Sequence, residues 1–355
     1  MPVIRSVARA LPAYHVSQDE MESFIRELFN ERLSSLERML QVFENGGIKE
    51  RQFVMPIDWY KKDKGLEERN TLFIEHAVDL GTEAVLNCIK QTKQAVGIED
   101  IDAFISVTSS GMAAPTLEAR IMNGTGLKNE TTRIPLWGLG CAGGAGGLAR
   151  AYDYCLAHPT ANVLVLCVEL CSLTFQRDDI SKSNFVGTSL FGDGVSCALV
   201  SGEESSGYCA EGPHILGTQA ELMPDSERVM GWDIKDTGFH VVFSRDIPSL
   251  ISTWLRPRIE SFLSSFNWDI ESTDRWILHP GGRKVLDAYR TSLNVSQEQL
   301  ALSEQILKWH GNMSSPSVLY VLEDVMNSSP LKGEVGLLGA LGPGFSAEML
   351  AMEWR

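Results

Sequence analysis

Two stretches of the sequence, 171 residues apart, show the same order of features. In the first, Cys141 stands in a run of small residues, GCAGG, before a helix-like segment, Pro159 and an apolar run. In the second, Asn312 stands in GNMSS before a helix-like segment, Pro330 and an apolar run. Each proline follows 18 residues after Cys141 or Asn312. This matched spacing predicts duplicated structural units with the two residues at equivalent helix starts; chance coincidence is the alternative.

Apolar strand-like runs alternate with helix-like segments along the chain. Residues 71–92 repeat apolar residues at a spacing of three to four, which predicts an amphipathic helix, and residues 19–44 also look helical. The β-branched and apolar runs that predict buried strands lie at 101–110, 162–170, 196–202, 275–279 and 334–341. The alternation predicts an α/β architecture with covered sheets. No linker-like segment separates the halves, so we expect them to pack as one body.

Composition excludes several classes of protein. The formal net charge of −15 argues against nucleic-acid binding, because no basic stripe offsets repulsion by phosphates. No apolar run approaches the ~20 residues that a membrane span needs, and the N-terminus lacks a signal-peptide pattern. The seven cysteines are odd in number and show no CxxC pair. We therefore expect a cytoplasmic protein with neither a disulfide framework nor a zinc site.

Cys141 is the strongest candidate for chemistry among the cysteines. It lies among six glycines in WGLGCAGGAGGLARA, directly before a helix-like run. A helix N-terminus carries partial positive charge, so a thiol there is expected to favour its thiolate, the form that attacks carbonyl groups. Glycines inside a helix are costly, and here they would let the helix press against neighbouring backbone. The cysteines expected to be structural are Cys88, Cys155, Cys167, Cys197 and Cys209.

His279 and Asn312 are the candidate partners of this thiol. His279 ends the apolar run RWIL and opens HPGG, which places it at the carboxyl edge of a strand, where open α/β sheets bind ligands. A satisfied structural histidine is the alternative. Asn312 is suited to cap a helix, and its amide can also face a pocket. A thiolate, an imidazole and a carboxamide together suit acyl transfer with stabilisation of an oxyanion or enolate.

Motifs in a fixed order resemble those of the type III polyketide synthases, the chalcone synthase superfamily. The matching stretches are PAYHVSQDE, SVTSSG, GCAGG, LFGDG, FHVVFSRDIP, ILHPGG, HGNMSSPSVLYVLE and GALGPGFS. The resemblance implies a thiolase-like αβαβα layered sandwich of two duplicated halves, assembled as a homodimer. Residues 1–210 would form the half with the nucleophile, and residues 211–355 the half with His279 and Asn312. The substrates would be CoA thioesters, with no cofactor or metal.

The same resemblance assigns roles to the candidate residues. Cys141 would receive an acyl group from an acyl-CoA. His279 and Asn312 would promote decarboxylation of malonyl-CoA and stabilise the enolate that attacks the Cys141 thioester. Repeated condensation would give a linear polyketide that cyclises. Phe191 and Phe239 match the two gatekeeper phenylalanines between the CoA tunnel and the condensation chamber.

Chamber residues suggest the class of starter. Positions that match the family's chamber are Ser109, Ser110, Cys171, Thr174, Gly187, Leu190 and Ser314. At Ala114, plant chalcone synthases carry a methionine that reaches the partner subunit. Small residues at Ser110, Ala114 and Cys171 resemble the tunnel lining of bacterial members that accept long fatty acyl starters, so we expect fatty acyl-CoA starters and alkylpyrone products. A repacked chamber wall is the alternative reading of these small residues.

The expected CoA contacts depart from the family pattern. Plant members hold the CoA phosphates with three basic residues, and here only Arg38 matches, with Gln41 and Asn45 at the other two positions. The basic residues that could substitute are Lys49, Arg51, Arg283 and Lys284. Solvated surface charge is the alternative for each of them.

Two other functions compete with this interpretation. A ketoacyl synthase III-type enzyme of fatty acid synthesis shares the fold and the catalytic set, and performs one condensation onto an acyl-carrier protein. The HPGG motif and the GALGPGFS ending favour the polyketide branch. A non-catalytic acyl-binding protein is the second alternative, and it predicts loss of a catalytic residue. All three catalytic candidates are present.

Overall fold

Nine of the strands in the computed structural model, which describes residues 1–30 and 36–355, join into one mixed sheet. The strands are β1 Val3–Ala10, β2 Tyr14–Ser17, β3 Glu50–Phe53, β4 Ala103–Thr108, β5 Thr132–Trp137, β6 Asn162–Leu170, β7 Asp193–Ser201, β8 Pro213–Leu222, β9 Met230–Lys235, β10 Gly238–Phe243, β11 Arg275–Leu278, β12 Val335–Gly342 and β13 Ser346–Trp354. The large sheet has the order β11-β12-β13-β8-β1-β7-β6-β4-β5. The two-stranded pair of β2 with β3 and the hairpin of β9 with β10 lie outside it.

Strand pairing repeats between the two parts of this sheet. β4 runs parallel to β6, which is antiparallel to β7 and through it to β1. In the same way β11 runs parallel to β12, which is antiparallel to β13 and through it to β8. The two sets join at the Val3–His214 pair of β1 and β8. The pairing therefore shows the same unit twice, in line with the repeated sequence features.

Helices cover both faces of the strands. They are α1 Gln18–Phe29, α2 Leu36–Asn45, α3 Leu66–Gln91, α4 Leu117–Thr125, α5 Gly143–Ala157, α6 Lys182–Leu190, α7 Ile247–Leu250, α8 Arg256–Ser264, α9 Arg283–Leu293, α10 Ala301–His310 and α11 Ser315–Asn327. The helical structure expected for residues 19–44 is found in α1 and α2, and residues 31–35 lie outside the described part. The helix expected at 71–92 begins earlier, at Leu66.

Three apolar clusters define the layers. α5 and α11 pack between the two sets of strands, and their residues share one core with β4, β6, β11 and β12. α3 covers the other face of the first set, and α8 and α9 cover the other face of the second set. The order is helix, strands, helices, strands, helix, so the αβαβα sandwich predicted from the resemblance is confirmed. No described helix combines the length and the apolar character needed to cross a bilayer.

Candidate active site

Glycines allow α5 and α11 to meet at the centre of the molecule. Cys141 lies in a short 3-10 turn, and α5 begins two residues later at Gly143. A Cβ on Gly144 would lie 2.4 Å from the carbonyl oxygen of Ser315, and one on Gly147 would lie 2.6 Å from Val165. Larger residues at these two glycines would push the helix away from its neighbours. The glycine-rich sequence thus fixes where the Cys141 sulfur sits.

Asn312 is held rigidly beside this sulfur. Its Oδ1 accepts a hydrogen bond from the Ser314 backbone N–H at 2.7 Å, and its Nδ2 donates to the Gly281 carbonyl at 3.2 Å. The amide atoms lie 3.8 Å and 3.9 Å from Cys141 Sγ. The second Nδ2 N–H is directed at the Cys141 sulfur, so an oxyanion on an acyl group bound to that sulfur could accept this hydrogen bond in its place. The helix cap is Ser314, since α11 begins at Ser315, so the alternative capping role of Asn312 is wrong.

His279 follows β11 and is 2 % exposed. Its backbone N–H donates to the Gly339 carbonyl of β12 at 2.9 Å, which fixes it at the carboxyl edge of the sheet. Among the described residues neither ring nitrogen has a hydrogen-bond partner, and burial lowers the pKa of the imidazole to about 3. A satisfied structural histidine would have partners, so the ring instead offers its donor and acceptor to a bound molecule. No hydrogen bond joins the His279 ring to Cys141.

The resting form of Cys141 also differs from the expectation. Burial, with a smaller contribution from the Glu169 carboxylate, raises the pKa of the thiol to about 11, against the contacts with Ser314 and Asn312. The prediction that the helix start holds this thiol ionised is therefore wrong for the free protein. The desolvation cost of a buried thiolate outweighs the helix dipole. Burial favours the thiol form of Cys141 and the neutral form of the His279 imidazole in the free protein.

Glu169 is a site residue that the sequence analysis missed. It is fully buried on β6, and its carboxylate accepts hydrogen bonds from the Ser109 N–H at 3.0 Å, Ser110 Oγ at 2.6 Å and Ser315 Oγ at 3.0 Å. Burial raises the pKa of this carboxyl to about 7 in spite of these bonds. An acidic residue inside the apolar run VLVLCVEL was the available signal.

The structure places the expected gatekeepers against further aromatic side chains. The Phe191 ring lies 5.8 Å from both Trp232 and Phe243, and Trp232 lies 6.1 Å from Phe239. Trp232 was not identified from sequence, because an aromatic residue in a half-buried strand carries no local signal of a gate. Phe191 also pairs with Asn312 through an isolated parallel bridge, which couples the gate to the catalytic candidates.

A narrow cavity of about 30 Å³ lies beside this gate. Of the expected site residues, those that line it are Cys171, Thr174, Gly187, Phe191 and Phe239. Its far wall contains Met21, Phe24 and Ile57 from the N-terminal region. Phe24 and Ile57 also line a separate, charged surface cavity, so they stand between the inner cavity and the exterior. The inner cavity is lined mainly by apolar and aromatic side chains, and its volume is about that of one water molecule in the liquid.

Other expected chamber residues lie off this cavity. Ser110 is buried, but its hydroxyl is engaged by Glu169 and by the Leu170 N–H. Ala114 is exposed on the surface of the single chain. Leu190 packs toward Gly282, at the turn after His279. Of the three small residues expected to line a tunnel, only Cys171 therefore faces the cavity.

The basic residues divide into surface groups and one buried group. The residues that lie exposed are Arg38, Lys49, Arg283 and Lys284. Gly47, just after α2, lies against the Arg283 side chain, which brings the α2 region and the turn after His279 together. Arg51 is fully buried and its guanidinium donates to backbone carbonyls, so the expectation that Arg51 could contact CoA is wrong. Within the described ranges, no cluster of three or more His, Cys, Asp or Glu side chains could hold a metal ion.

Comparison with known families matches almost the whole chain. The family described as chalcone and stilbene synthases, N-terminal domain, matches residues 2–204, and the corresponding C-terminal domain family matches residues 214–354.

Individual relatives match over similar lengths. The “Putative chalcone synthase” of Bacillus subtilis (strain 168) is 46% identical, covering 100% of this chain and 99% of the relative. The alpha-pyrone synthesis polyketide synthase-like Pks18 of Mycobacterium tuberculosis (strain H37Rv) is 28% identical, covering 98% of this chain and 89% of the relative. The crystal structure of 1,3,6,8-tetrahydroxynaphthalene synthase from Streptomyces coelicolor superposes with a TM-score of 0.94 at 29% identity, covering 99% of each chain.

Proposed function

The chain belongs to the chalcone and stilbene synthase family and is a type III polyketide synthase, and we propose that it extends long-chain fatty acyl-CoA starters with malonyl-CoA to alkylpyrones. One observation carries the proposal. The Asn312 amide is held beside the Cys141 sulfur by hydrogen bonds with the Ser314 N–H and the Gly281 carbonyl.

The first step loads the enzyme. Cys141 Sγ attacks the carbonyl carbon of the acyl-CoA, and its proton passes to the neutral His279 ring. As the carbon–sulfur bond to CoA breaks, that proton passes to the CoA sulfur. A thiol with a raised pKa needs such a base, and the unpartnered His279 nitrogens are available to act as one.

The second step extends the chain. Malonyl-CoA loses CO₂, and the electron pair of the broken bond forms an acetyl-CoA enolate. The enolate oxygen accepts hydrogen bonds from Asn312 Nδ2 and from the His279 ring N–H. The enolate carbon then attacks the Cys141 thioester and the sulfur leaves, which gives a 3-oxoacyl-CoA two carbons longer and frees Cys141. The Cys141 sulfur attacks this new thioester as in the first step, releases CoA and holds the extended chain for the next round. After the last round, an enol oxygen attacks the terminal thioester carbonyl, and its proton passes to the sulfur that leaves as the pyrone ring closes.

The alkyl tail of the starter would enter the narrow cavity beyond Cys171 by moving apart the apolar side chains that line it. Each methylene buried there contributes roughly 0.8 kcal/mol, so cavity length would set chain-length preference. Phe24 and Ile57 close its far end. The relative named for alpha-pyrone synthesis supports a pyrone product, whereas the tetrahydroxynaphthalene synthase structure marks a different product within the family.

Several further assignments belong to this proposal. The chain acts as a homodimer, with the exposed Ala114 facing the partner subunit. Only CoA thioesters serve as substrates, with no cofactor. The two halves divide after residue 210, in the connection between β7 and β8. Seven unpaired thiols fit a reducing cytoplasm.

The test is a product profile. Purified enzyme is incubated with malonyl-CoA and acyl-CoA starters from octanoyl to stearoyl, and products are identified by mass. The expected products carry the starter plus several C2 units less water, as a pyrone. A single added C2 unit would indicate the ketoacyl synthase alternative, and a product from malonyl-CoA alone would contradict the fatty acyl proposal.

A variant of the far wall tests where the tail lies. Phe24→Ala is expected to raise the ratio of kcat/KM for stearoyl-CoA over that for octanoyl-CoA about tenfold, because more methylenes can be buried. Phe29→Ala is the matched control, since Phe29 lies on the same helix and in the same apolar cluster but does not line the cavity. An equal ratio in the two variants would place the tail elsewhere.

A further inference from the structure

Strand β3 carries a buried guanidinium at the base of the gate. Arg51 is 0% exposed. Its Nη1 donates to the carbonyls of Thr188 at 2.9 Å and Phe191 at 3.1 Å, and its Nη2 donates to Gln18 Oε1. No CoA group can reach the guanidinium from solvent.

The acceptors of Arg51 belong to the end of one helix. Thr188 lies in the last turn of α6 and Phe191 directly follows it. Gln18 Nε2 donates to the Ser189 carbonyl at 3.3 Å, so the Arg51–Gln18 pair engages three carbonyls of this helix end. A cation is favourable there because the carboxyl end of a helix is negative. Among the described residues, no carboxylate forms an ion pair with Arg51.

The end of α6 is also hydrogen-bonded to the backbone of Asn312. The Asn312 N–H donates to the Leu190 carbonyl at 2.9 Å, and the Gly192 N–H donates to the Asn312 carbonyl at 3.0 Å. The stem of Arg51 packs against this crossing, since a Cβ on Gly192 would lie 3.2 Å from its Cβ and one on Gly311 would lie 3.6 Å away. Gly311 also has φ +68°, which favours glycine.

Strand β3 is hydrogen-bonded to both segments that meet at the Phe191–Asn312 bridge. The Val54 N–H, just after β3, donates to Asp193 Oδ2 at 2.9 Å, and Gln52 Nε2 donates to the Trp309 carbonyl at 3.3 Å. The Lys49 N–H donates to the Lys308 carbonyl at 2.7 Å. The segment therefore connects the end of α6 with the end of α10, on either side of the bridge between Phe191 and Asn312.

We propose that Arg51 is a positioning residue that sets the place of the Asn312 amide beside Cys141 by fixing the Phe191–Asn312 bridge. The guanidinium holds the Phe191 carbonyl directly, and the bridge transmits that position to Asn312. A shift of about 1 Å at a catalytic group can cost on the order of 10²-fold in rate. The inference rests on the proposed role of Asn312 in decarboxylation.

The experiment separates the two half-reactions in Arg51→Met and Arg51→Lys. Acylation of Cys141 is measured as a covalent adduct by mass spectrometry, and decarboxylation as CO₂ released from malonyl-CoA. We expect decarboxylation to fall about tenfold to a hundredfold in Arg51→Met and less in Arg51→Lys, which keeps the charge but loses the planar fork. Acylation and the KM for malonyl-CoA are expected to change less than about twofold.

Arg9→Met is the matched control for loss of a partly buried arginine. Arg9 pairs with Glu323 and Asp324 on α11, away from the bridge. This variant is expected to lower Tm while leaving the ratio of the two half-reactions unchanged.

Three results would overturn the inference. An Arg51→Met variant whose half-reactions fall in equal proportion would show a role in stability alone, and a raised KM with intact kcat would show a CoA contact. If Arg51→Met does not fold, Arg51→Lys, which keeps the charge, provides the test. An unchanged ratio of decarboxylation to acylation in Arg51→Lys would also overturn the inference. If Asn312→Ala itself decarboxylates malonyl-CoA at the wild-type rate, the proposed function fails independently of Arg51.

Discussion

The two repeated units place different chemistry on the same arrangement of strands and helix. In the first, Cys141 precedes α5 and lies near the Glu169 carboxylate with its serine hydrogen bonds. In the second, Asn312 precedes α11 with its amide pinned, and His279 ends β11 with its ring unpartnered. The first unit provides a nucleophile beside a buried carboxyl group, in surroundings that disfavour a second negative charge. The second provides donors without a charged partner, which suits stabilisation of an anion.

Removing the nucleophile of the first unit is expected to have the largest effect. Cys141→Ala should abolish both the acyl adduct and product formation, because no other group in the proposed mechanism carries the chain. Product yield from decanoyl-CoA and malonyl-CoA measures this. Cys171→Ala, a second buried cysteine of the chamber, is the control for loss of a thiol. If Cys141→Ala still makes product, the division of roles between the units is wrong.

Removing a donor of the second unit is expected to separate the half-reactions. Asn312→Ala should lower malonyl-CoA decarboxylation about 10²- to 10³-fold, since one oxyanion donor contributes that much. The acyl adduct on Cys141 should still form. If Asn312→Ala instead lost acylation of Cys141 and kept decarboxylation, the roles that we assign to the two units would have to be exchanged.

The carboxylate of the first unit predicts a pH effect. Glu169→Gln removes a negative charge that raises the pKa of Cys141, so the thiolate should form at lower pH. Iodoacetamide labelling of the Cys141 peptide, followed against pH, should show its inflection about half a pH unit lower. Ser110→Ala, which keeps the carboxyl, is the control. An inflection that does not move would show that the charge of Glu169 is not felt at the sulfur.

The smallest expected effects concern exposed basic residues that are candidates to contact CoA, Arg38 in the first unit and Arg283 in the second. Arg38→Glu and Arg283→Glu should each raise the KM for malonyl-CoA about fivefold, as expected for exposed charges near phosphates, and added salt should reduce the difference. Lys332→Glu, an exposed lysine between α11 and β12, is the control with the same change of charge. An unchanged KM in Arg38→Glu would remove that contact from the site.

The fold and the places of the three candidate residues could be predicted because their signals are local. Alternating strands and helices mark the layers, and Cys141, His279 and Asn312 stand at element ends in recognisable motifs. The protonation states of these groups could not be predicted in the same way. The raised pKa of Cys141 arises from burial by residues distant in sequence, which a local helix-start argument does not include.

Arg51 and Glu169 show the same limit. Arg51 reads as a surface charge in IKERQF, and only the packing of β3 against α6 buries it. Glu169 reads as an irregularity in a strand, and its serine partners come from two other parts of the chain. Burial and pairing of a charged side chain are tertiary properties, so the sequence pattern around it does not contain them.

The central claim is that the Cys141 sulfur carries the growing chain between the two units. The direct measurement is mass spectrometry of the enzyme and its peptides after exposure to a fatty acyl-CoA without malonyl-CoA. The account predicts one acyl mass per chain, located on the Cys141 peptide, released as product when malonyl-CoA is added. An unmodified Cys141, or an adduct on another residue that is consumed at the same rate as product appears, would contradict it.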